Sequence, residues 1–129
     1  MWSGLLWVGL GGALGTGLRF GFSLLALRYM AEHAFVATLG ANVLGAALIG
    51  YLATRDLGAL ARALWMTGFC GGFTTFSLFS LEVVMLFERG KGIALSYGAV
   101  SLVMWLGAVW AGVALGRESA PSGSPPTRP

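Results

Sequence analysis

The sequence has few charged residues, one cysteine and one histidine, and each scarcity excludes a class of protein. Asp, Glu, Lys and Arg make up 10% of the chain, against about 25% in a typical soluble domain. Cys70 has no second cysteine for an internal disulfide, and with His33 as the one histidine we expect no zinc or iron–sulfur site. The net charge of +3 is scattered along the chain, which argues against a nucleic-acid-binding surface.

What the sequence contains instead is hydrophobic residues and glycine. Hydrophobic residues account for 57% of the chain, and its 21 glycines fall within the apolar stretches. A chain this apolar cannot cover its surface with polar groups, and small residues let helices in a membrane pack closely. The composition therefore predicts an all-α membrane protein built as a tight helix bundle.

Four apolar segments are long enough to cross a bilayer, which takes roughly 20 apolar residues in a helix. They cover residues 5–27, 35–53, 64–87 and 93–115. The N-terminus lacks the basic start and small-residue cleavage site of a removable signal, so we predict that the first segment is a retained span. We expect residues 1–116 to form one transmembrane domain and residues 117–129, rich in Pro and Ser, to form a disordered polar tail.

The basic residues near the span ends are balanced between the two sides of the membrane. Arg55, Arg62 and Arg117 are expected on one side, together with Arg128 far along the tail. Arg28, Arg89 and Lys91 are expected on the other side, and Arg19 lies within the first span, nearer to that second side. Because orientation follows the excess of Lys and Arg, the sequence gives almost no orientation signal. Either the protein inserts both ways, as an antiparallel two-fold dimer requires, or the true span ends differ from the predicted ones or a single charge dominates the orientation.

The third segment contains an unusual polar stretch, GFCGGFTTFS at residues 68–77. Glycine costs about 1 kcal/mol in a helix relative to alanine, so Gly71 and Gly72 weaken the helix at its midpoint. A break in lipid frees backbone groups that must find partners. Its carbonyl end suits a cation and its N–H end suits an anion, so we predict a third helix broken at mid-membrane to bind ions.

Polar side chains within the spans have an ordinary and a functional interpretation, because such groups usually face the bundle interior or water. An isolated serine or threonine often donates to a carbonyl of the preceding turn, whereas Asn42 either holds helices together or lines a pore. Tyr97 lies near a span end, where a tyrosine usually anchors the helix at the membrane interface. The side chain of Arg19 could extend to the membrane boundary, and Glu82 could pair with an arginine.

Phe76 and Phe79 are three residues apart and so share one face of the second half of this helix. Core packing is the ordinary interpretation of such a pair. The alternative is that the positive ring edges contact an anion. Contacts of that kind are favourable but weak, and weak contacts at several positions are what conduction requires.

Three stretches together resemble a known family, the small bacterial fluoride channels of the CrcB/Fluc family. They are GFCGGFTTFS at 68–77, GGALGTGLRF at 11–20 and ATLGANVLGA at 37–46, and the resemblance extends over all four spans but not the tail. It implies an antiparallel homodimer in the bacterial cell membrane, with two pores for passive fluoride export. It also implies a structural sodium ion at the dimer centre.

The resemblance also implies roles for individual residues. The sodium ligands would be backbone carbonyls of Gly71 and Thr74, and Phe76 and Phe79 would be the ring pair along each pore. Asn42 would donate a hydrogen bond near the rings. Thr75, Ser77, Tyr97 and Ser101 would form a polar track, a row of polar groups along the pore, with Thr38 a weaker candidate. Arg19 would sit near a pore mouth and attract anions. The resemblance assigns no role to Glu82.

This sequence departs from the family pattern at the far end of the polar track. Trp105 comes one turn after Ser101, where a small polar residue is expected, and Leu78 stands where many relatives have threonine.

Two other classes of membrane protein share the predicted outline. A small multidrug-type proton-coupled exporter needs a buried carboxylate in its first span, where this chain has Arg19 and no acid. A non-transporting assembly subunit could use glycine-rich helices but does not need the hydroxyl-dense break. An enzyme is not expected, because the sequence shows no nucleophile–base pair and no metal cluster.

Overall fold

The computed structural model describes residues 2–33 and 35–119, and these form helices joined by short connections. Helix α1 is Trp2–Tyr29, a 3₁₀ turn follows at Ala31–His33, and α2 is Phe35–Ala53. Helix α3 has three consecutive parts, Ala59–Ala61, a π-helical Arg62–Cys70 and Gly71–Phe73. Helix α4 is Phe76–Arg89 and α5 is Lys91–Glu118.

The prediction of four spans is confirmed. The segments long and apolar enough to cross a membrane are Trp2–Tyr29, Phe35–Ala53, Ala59–Arg89 and Lys91–Glu118, the third of which comprises α3 and α4. Helix α5 continues to Glu118, so residues 117 and 118 of the predicted tail are helical. Ser119 follows as the C-cap of α5, and the remaining residues of the predicted tail, 120–129, lie outside the described residues.

The bundle is organised around two helix pairs, α1 with α3 and α2 with α5. Glycines allow the backbones of each pair to touch. A Cβ atom added at Gly15 of α1 would overlap the carbonyl oxygen of Phe69, and one added at Gly112 of α5 would overlap that of Ala47. The glycine-rich composition therefore serves close packing, as membrane helices need in the absence of a hydrophobic driving force between them.

The turn between α4 and α5 consists of Gly90 alone. Its φ of 156° and ψ of 134° lie in a region that side chains disfavour, which is why a glycine ends α4 here. The outer surfaces of the bundle are apolar, with large side chains such as Leu106 and Trp110 of α5 exposed. Such a surface suits lipid or a second protein chain rather than water.

Candidate functional site

Helices α3 and α4 are separated by an extended pair of residues, Thr74 and Thr75. Thr74 has φ −82° and ψ 153°, and Thr75 has φ −149° and ψ 115°. The Thr74 N–H and hydroxyl both donate to the carbonyl of Cys70, at 3.0 and 2.9 Å. The Thr75 hydroxyl accepts from the N–H of Leu78 at 3.2 Å, so it caps α4. The Thr74 N–H thus makes the last helical bond of α3, and the Thr75 hydroxyl supplies an acceptor for one of the N–H groups at the start of α4.

Asn42 of α2 holds the interruption in place. Its amide donates to the Thr75 carbonyl at 3.0 Å and accepts from the Thr75 N–H at 2.7 Å. Asn42 is buried, and these bonds leave one amide hydrogen and one carbonyl lone pair unused. The interpretation of Asn42 as a residue that holds helices together therefore fits its contacts. The unused hydrogen still permits a further acceptor.

The last carbonyls of α3 differ in their partners. Gly72 accepts from the Thr16 hydroxyl and from Arg19 Nε, both at 3.3 Å. The carbonyls of Gly71 and Thr74 accept no hydrogen bond from the described residues. Gly71 lies exposed on the surface of this single chain. Among the described residues, the two carbonyls predicted as cation ligands therefore have no hydrogen-bond donor, whereas the Gly72 carbonyl between them accepts from two side chains of α1.

The two phenylalanines of the motif lie together but in different environments. Their ring centroids are 5.6 Å apart with an interplanar angle of 51°. Phe79 is buried and packs against Tyr97 and Trp105, at 5.5 and 4.7 Å between centroids. Phe76 is 67% exposed, and it lines a cavity of about 230 Å³ together with Asn42 and Trp105. Core packing accounts for Phe79 but not for Phe76.

A second polar cluster surrounds Glu82 of α4. The Thr38 hydroxyl donates to its carboxylate at 2.6 Å, and the Tyr97 hydroxyl donates at 2.7 Å. Among the described residues no hydrogen bond joins Glu82 to an arginine, so hydroxyl groups take the place of the cation that the sequence suggested. Tyr97 is buried, which excludes the interfacial-anchor interpretation within this fold.

Ser77, Ser80 and Ser101 lie in three different environments. Ser80 donates to the Phe76 carbonyl of the preceding turn at 2.9 Å, the ordinary bond for a serine in a span. Ser77 is exposed, with its hydroxyl 3.2 Å from that of Thr75. Ser101 is fully buried, and its hydroxyl lies next to that of Tyr97, one turn earlier in α5. The indole nitrogen of Trp105 is buried and has no hydrogen-bond partner among the described residues.

The structure thus distributes the predicted site residues over three neighbouring places. Asn42, Thr75, Ser77 and Phe76 meet at the interruption, and Phe79 connects them to Tyr97. Arg19 of α1 contacts the end of α3 through the Gly72 carbonyl. Trp105 was not among the predicted site residues, although its position one turn after Ser101 was the available signal.

Residue types that hold metals are not clustered in the described part of the chain. No group of three His, Cys, Asp or Glu side chains is found within it. Within the described residues, the backbone carbonyls of Gly71 and Thr74 accept no hydrogen bond, and such uncharged oxygens are suitable ligands for a hard cation.

Four apolar spans, with a hydroxyl-rich interruption in the third, define a small multi-pass membrane protein with polar groups gathered where α3 meets α4. A family model described as "CrcB-like protein, Camphor Resistance (CrcB)" matches residues 6–113. The chain belongs to this family, which confirms the resemblance drawn from its three motifs.

The chain aligns with most of the length of related proteins from several bacteria. A Rhizobium etli protein named "Fluoride-specific ion channel FluC" is 45% identical over 118 residues, which cover 87% of this chain and 94% of that protein. Proteins of the same name from Agrobacterium fabrum and Azotobacter vinelandii are 43% and 42% identical, and 94% and 92% of their lengths are covered. The chain is thus a multi-pass membrane protein of a bacterial family.

Proposed function

We propose that this protein is a fluoride-specific ion channel, not an enzyme, and that it lets fluoride leave the cytoplasm passively. The observation that carries the proposal is the interruption at Thr74 and Thr75, in a chain whose relatives bear the name of such a channel. Fluoride that enters as neutral HF is trapped as the anion inside. A channel returns it down its gradient and so protects cytoplasmic enzymes.

The groups at the interruption suit a small anion that has lost water. Hydroxyls of Thr75 and Ser77, the unused amide hydrogen of Asn42 and the ring edges of Phe76 and Phe79 are all uncharged donors. A fixed positive charge would hold the anion too tightly. Several weak contacts let it enter and also leave.

The proposed position of the interruption is the middle of the membrane. It divides the third span, Ala59–Arg89, into helical parts of similar length. Free peptide groups at that depth need partners, because lipid offers none. An ion or a second protein chain supplies such partners.

The proposed assembly is an antiparallel homodimer with two pores. A single chain leaves the ring of Phe76 and the backbone of Gly71 exposed beside the polar interruption. Lipid leaves the free Gly71 carbonyl without a partner, whereas a second copy inserted in the opposite direction covers both groups with the same motif. The four spans place similar numbers of basic residues on the two sides of the membrane, and this balance favours insertion in both orientations.

The proposed structural sodium ion lies at the centre of that dimer and is not transported. The carbonyls of Gly71 and Thr74 fit it, because they are uncharged oxygen ligands without hydrogen-bond partners among the described residues. Unwound carbonyls at helix ends coordinate sodium in other membrane proteins. A cation there would join the two copies through their backbones.

The remaining residues are assigned to the ends of each pore. Tyr97, Ser101 and, more weakly, Thr38 continue the polar track on α5 and α2. Arg19 is assigned to a pore mouth, where its charge attracts anions. Because its Nε–H donates to the Gly72 carbonyl, this mouth extends inward as far as the last turn of α3.

Anion efflux from reconstituted vesicles tests the proposed function. Vesicles loaded with potassium fluoride or potassium chloride are treated with a potassium ionophore, and anion release is followed with ion-selective electrodes. We expect rapid release of fluoride and retention of chloride. Retention of both anions, or equal release of both, would overturn the proposal.

A further inference from the structure

We propose that Trp105 is a positioning residue of the channel, which acts through Phe79 by fixing the plane of that ring beside the proposed pore. This role rests on the proposed function and deepens it, because it concerns how one ring of the Phe76 and Phe79 pair is held. Trp105 itself needs no contact with the anion in this role. What it supplies is a rigid aromatic neighbour.

The contact with Trp105 is the closest ring contact of Phe79 among the described residues. The two centroids are 4.7 Å apart and the planes lie at 70°, an edge-to-face arrangement near the short limit for aromatic pairs. The rings of Phe76 and Tyr97 lie farther from Phe79, at 5.6 and 5.5 Å, and are only tilted towards it, at 51° and 48°. Trp105 therefore constrains the angle of the Phe79 ring more strongly than its other aromatic neighbours do.

Phe79 is held between two rings of α5. Tyr97 and Trp105 are eight residues apart, or about 12 Å along the helix, and the Phe79 ring contacts both. The Tyr97 ring is itself fixed, because its hydroxyl donates to Glu82 at 2.7 Å. Rotation of a phenylalanine ring about χ2 is only weakly restricted by its own bonds. The plane of the buried Phe79 ring is therefore decided by these neighbours.

The plane of the ring matters for an anion because the charge of a phenyl ring is unevenly distributed. The ring edge is positive and the face is negative. A Phe79 ring that presents its edge to the proposed pore attracts fluoride, and the same ring turned by a quarter of a rotation repels it. A residue that stops the ring from turning thus preserves the favourable contact without adding a charge.

The indole ring, and not its N–H group, accounts for the contacts of Trp105. Its nitrogen is buried and has no hydrogen-bond partner among the described residues. The ring contacts Phe79 and also lines the cavity of about 230 Å³ shared with Asn42, Thr75 and Phe76. Trp105 therefore lies beside the interruption as an apolar wall. We expect another aromatic side chain to replace it better than an aliphatic one of similar size.

Efflux from reconstituted vesicles separates positioning from simple filling of space. Trp105→Leu removes the aromatic ring, and we expect fluoride efflux to fall about two- to tenfold, the factor that corresponds to one aromatic pair. Trp105→Phe keeps a ring that can pack against Phe79, and it is expected to retain most of the wild-type efflux. Both variants lose volume, so a residue that only fills space would impair efflux in both. Trp110→Leu, at the exposed tryptophan of α5, is the control with unchanged efflux.

Fluorine magnetic resonance measures the motion of the Phe79 ring itself. 4-Fluorophenylalanine is placed at position 79 of the full chain by stop-codon suppression, and the protein is studied in lipid bilayers. The fluorine lies on the ring axis, so half-turn flips leave its signal unchanged and only rocking of the ring plane narrows its anisotropic line. We expect a broad line in wild type and Trp105→Phe and a narrower line in Trp105→Leu. The same label at the exposed Phe87 provides the reference for a mobile ring.

The outcomes separate this role from the proposed function. Wild-type protein that releases no fluoride would overturn the proposed function and the role of Trp105 with it. Fluoride release by wild type together with undiminished efflux in Trp105→Leu would overturn the positioning role alone. Equal losses in Trp105→Leu and Trp105→Phe, or an unchanged Phe79 line in Trp105→Leu, would overturn it too. If Trp105→Leu fails to assemble, wild type still decides, because a Phe79 ring that rocks as freely as that of Phe87 is not held by Trp105.

Discussion

The side-chain amide of Asn42 pairs with both backbone polar groups of Thr75, donating at 3.0 Å and accepting at 2.7 Å. The Asn42 side chain thereby satisfies the extended backbone of Thr75 in the way that a neighbouring β-strand satisfies a strand beside it. The extended backbone between α3 and α4 is stabilised by α2 and not only by its own threonines. Any change that removes the donor of Asn42 acts on the backbone as well as on the proposed pore.

The Asn42→Asp variant is expected to abolish fluoride efflux while the protein still assembles. A carboxylate cannot donate to the Thr75 carbonyl, and it places a negative charge where the anion must pass. The lost bond is expected to lower the free energy of unfolding by about 1–3 kcal/mol. Efflux from vesicles and thermal unfolding in detergent measure the two effects, and normal efflux would contradict the role assigned to Asn42.

The Phe76→Ile variant is expected to lose fluoride efflux with little change in the stability of the isolated chain. The ring is 67% exposed in the single chain, so its replacement leaves no core cavity there, whereas it removes the positive ring edge from the pore. Phe87→Ile is the matched control, because Phe87 is also an exposed phenylalanine of α4 but lies away from the interruption. Efflux that survives in Phe76→Ile would leave the ring pair without a role in conduction.

The Tyr97→Phe variant is expected to destabilise the protein by about 1–3 kcal/mol, because it removes one of the two hydroxyl donors to Glu82. Tyr29→Phe, at an exposed tyrosine, is expected to have no measurable effect. Chemical unfolding of Tyr97→Phe, Glu82→Gln and the double variant forms a thermodynamic cycle. We expect a coupling free energy of at least about 0.5 kcal/mol, and additive effects would show that the bond contributes nothing.

The Gly15→Ala variant is expected to destabilise the pairing of α1 with α3 by about 1–3 kcal/mol, because the added Cβ overlaps the Phe69 carbonyl. Gly17→Ala is the control on the same helix, since a Cβ there meets nothing within 4 Å. Thermal unfolding in detergent compares the two. Equal stabilities would mean that α1 and α3 do not touch at this glycine.

Removal of sodium is expected to weaken the dimer and lower fluoride efflux. If the carbonyls of Gly71 and Thr74 hold the ion, sodium at a hundredfold excess over its dissociation constant stabilises the assembly by about 2.7 kcal/mol. Unfolding temperature and efflux are compared in sodium and in the bulky cation N-methyl-D-glucamine at equal ionic strength. Identical results in both salts would contradict the sodium site but not the fluoride pathway.

The local features of this protein could be read from its sequence. Four apolar segments predicted four spans. The glycines and threonines of residues 68–77 predicted a break in the third helix; Gly71–Phe73 is helical in the structure, and the residues between the two helices are Thr74 and Thr75. The three motifs predicted the family that the comparison confirms. These features depend on composition and on a few neighbouring residues, which the sequence displays directly.

Only the tertiary structure decided which polar groups meet. The Asn42 side chain pairs with the backbone of Thr75, Glu82 accepts from two hydroxyls instead of an arginine, and Trp105 packs edge to face against Phe79. The physical reason is that helices apolar on all sides carry no stripe that marks the inner face, so periodicity cannot choose between neighbours. Those choices follow from how closely the glycines of α1 and α5 let their partner helices approach.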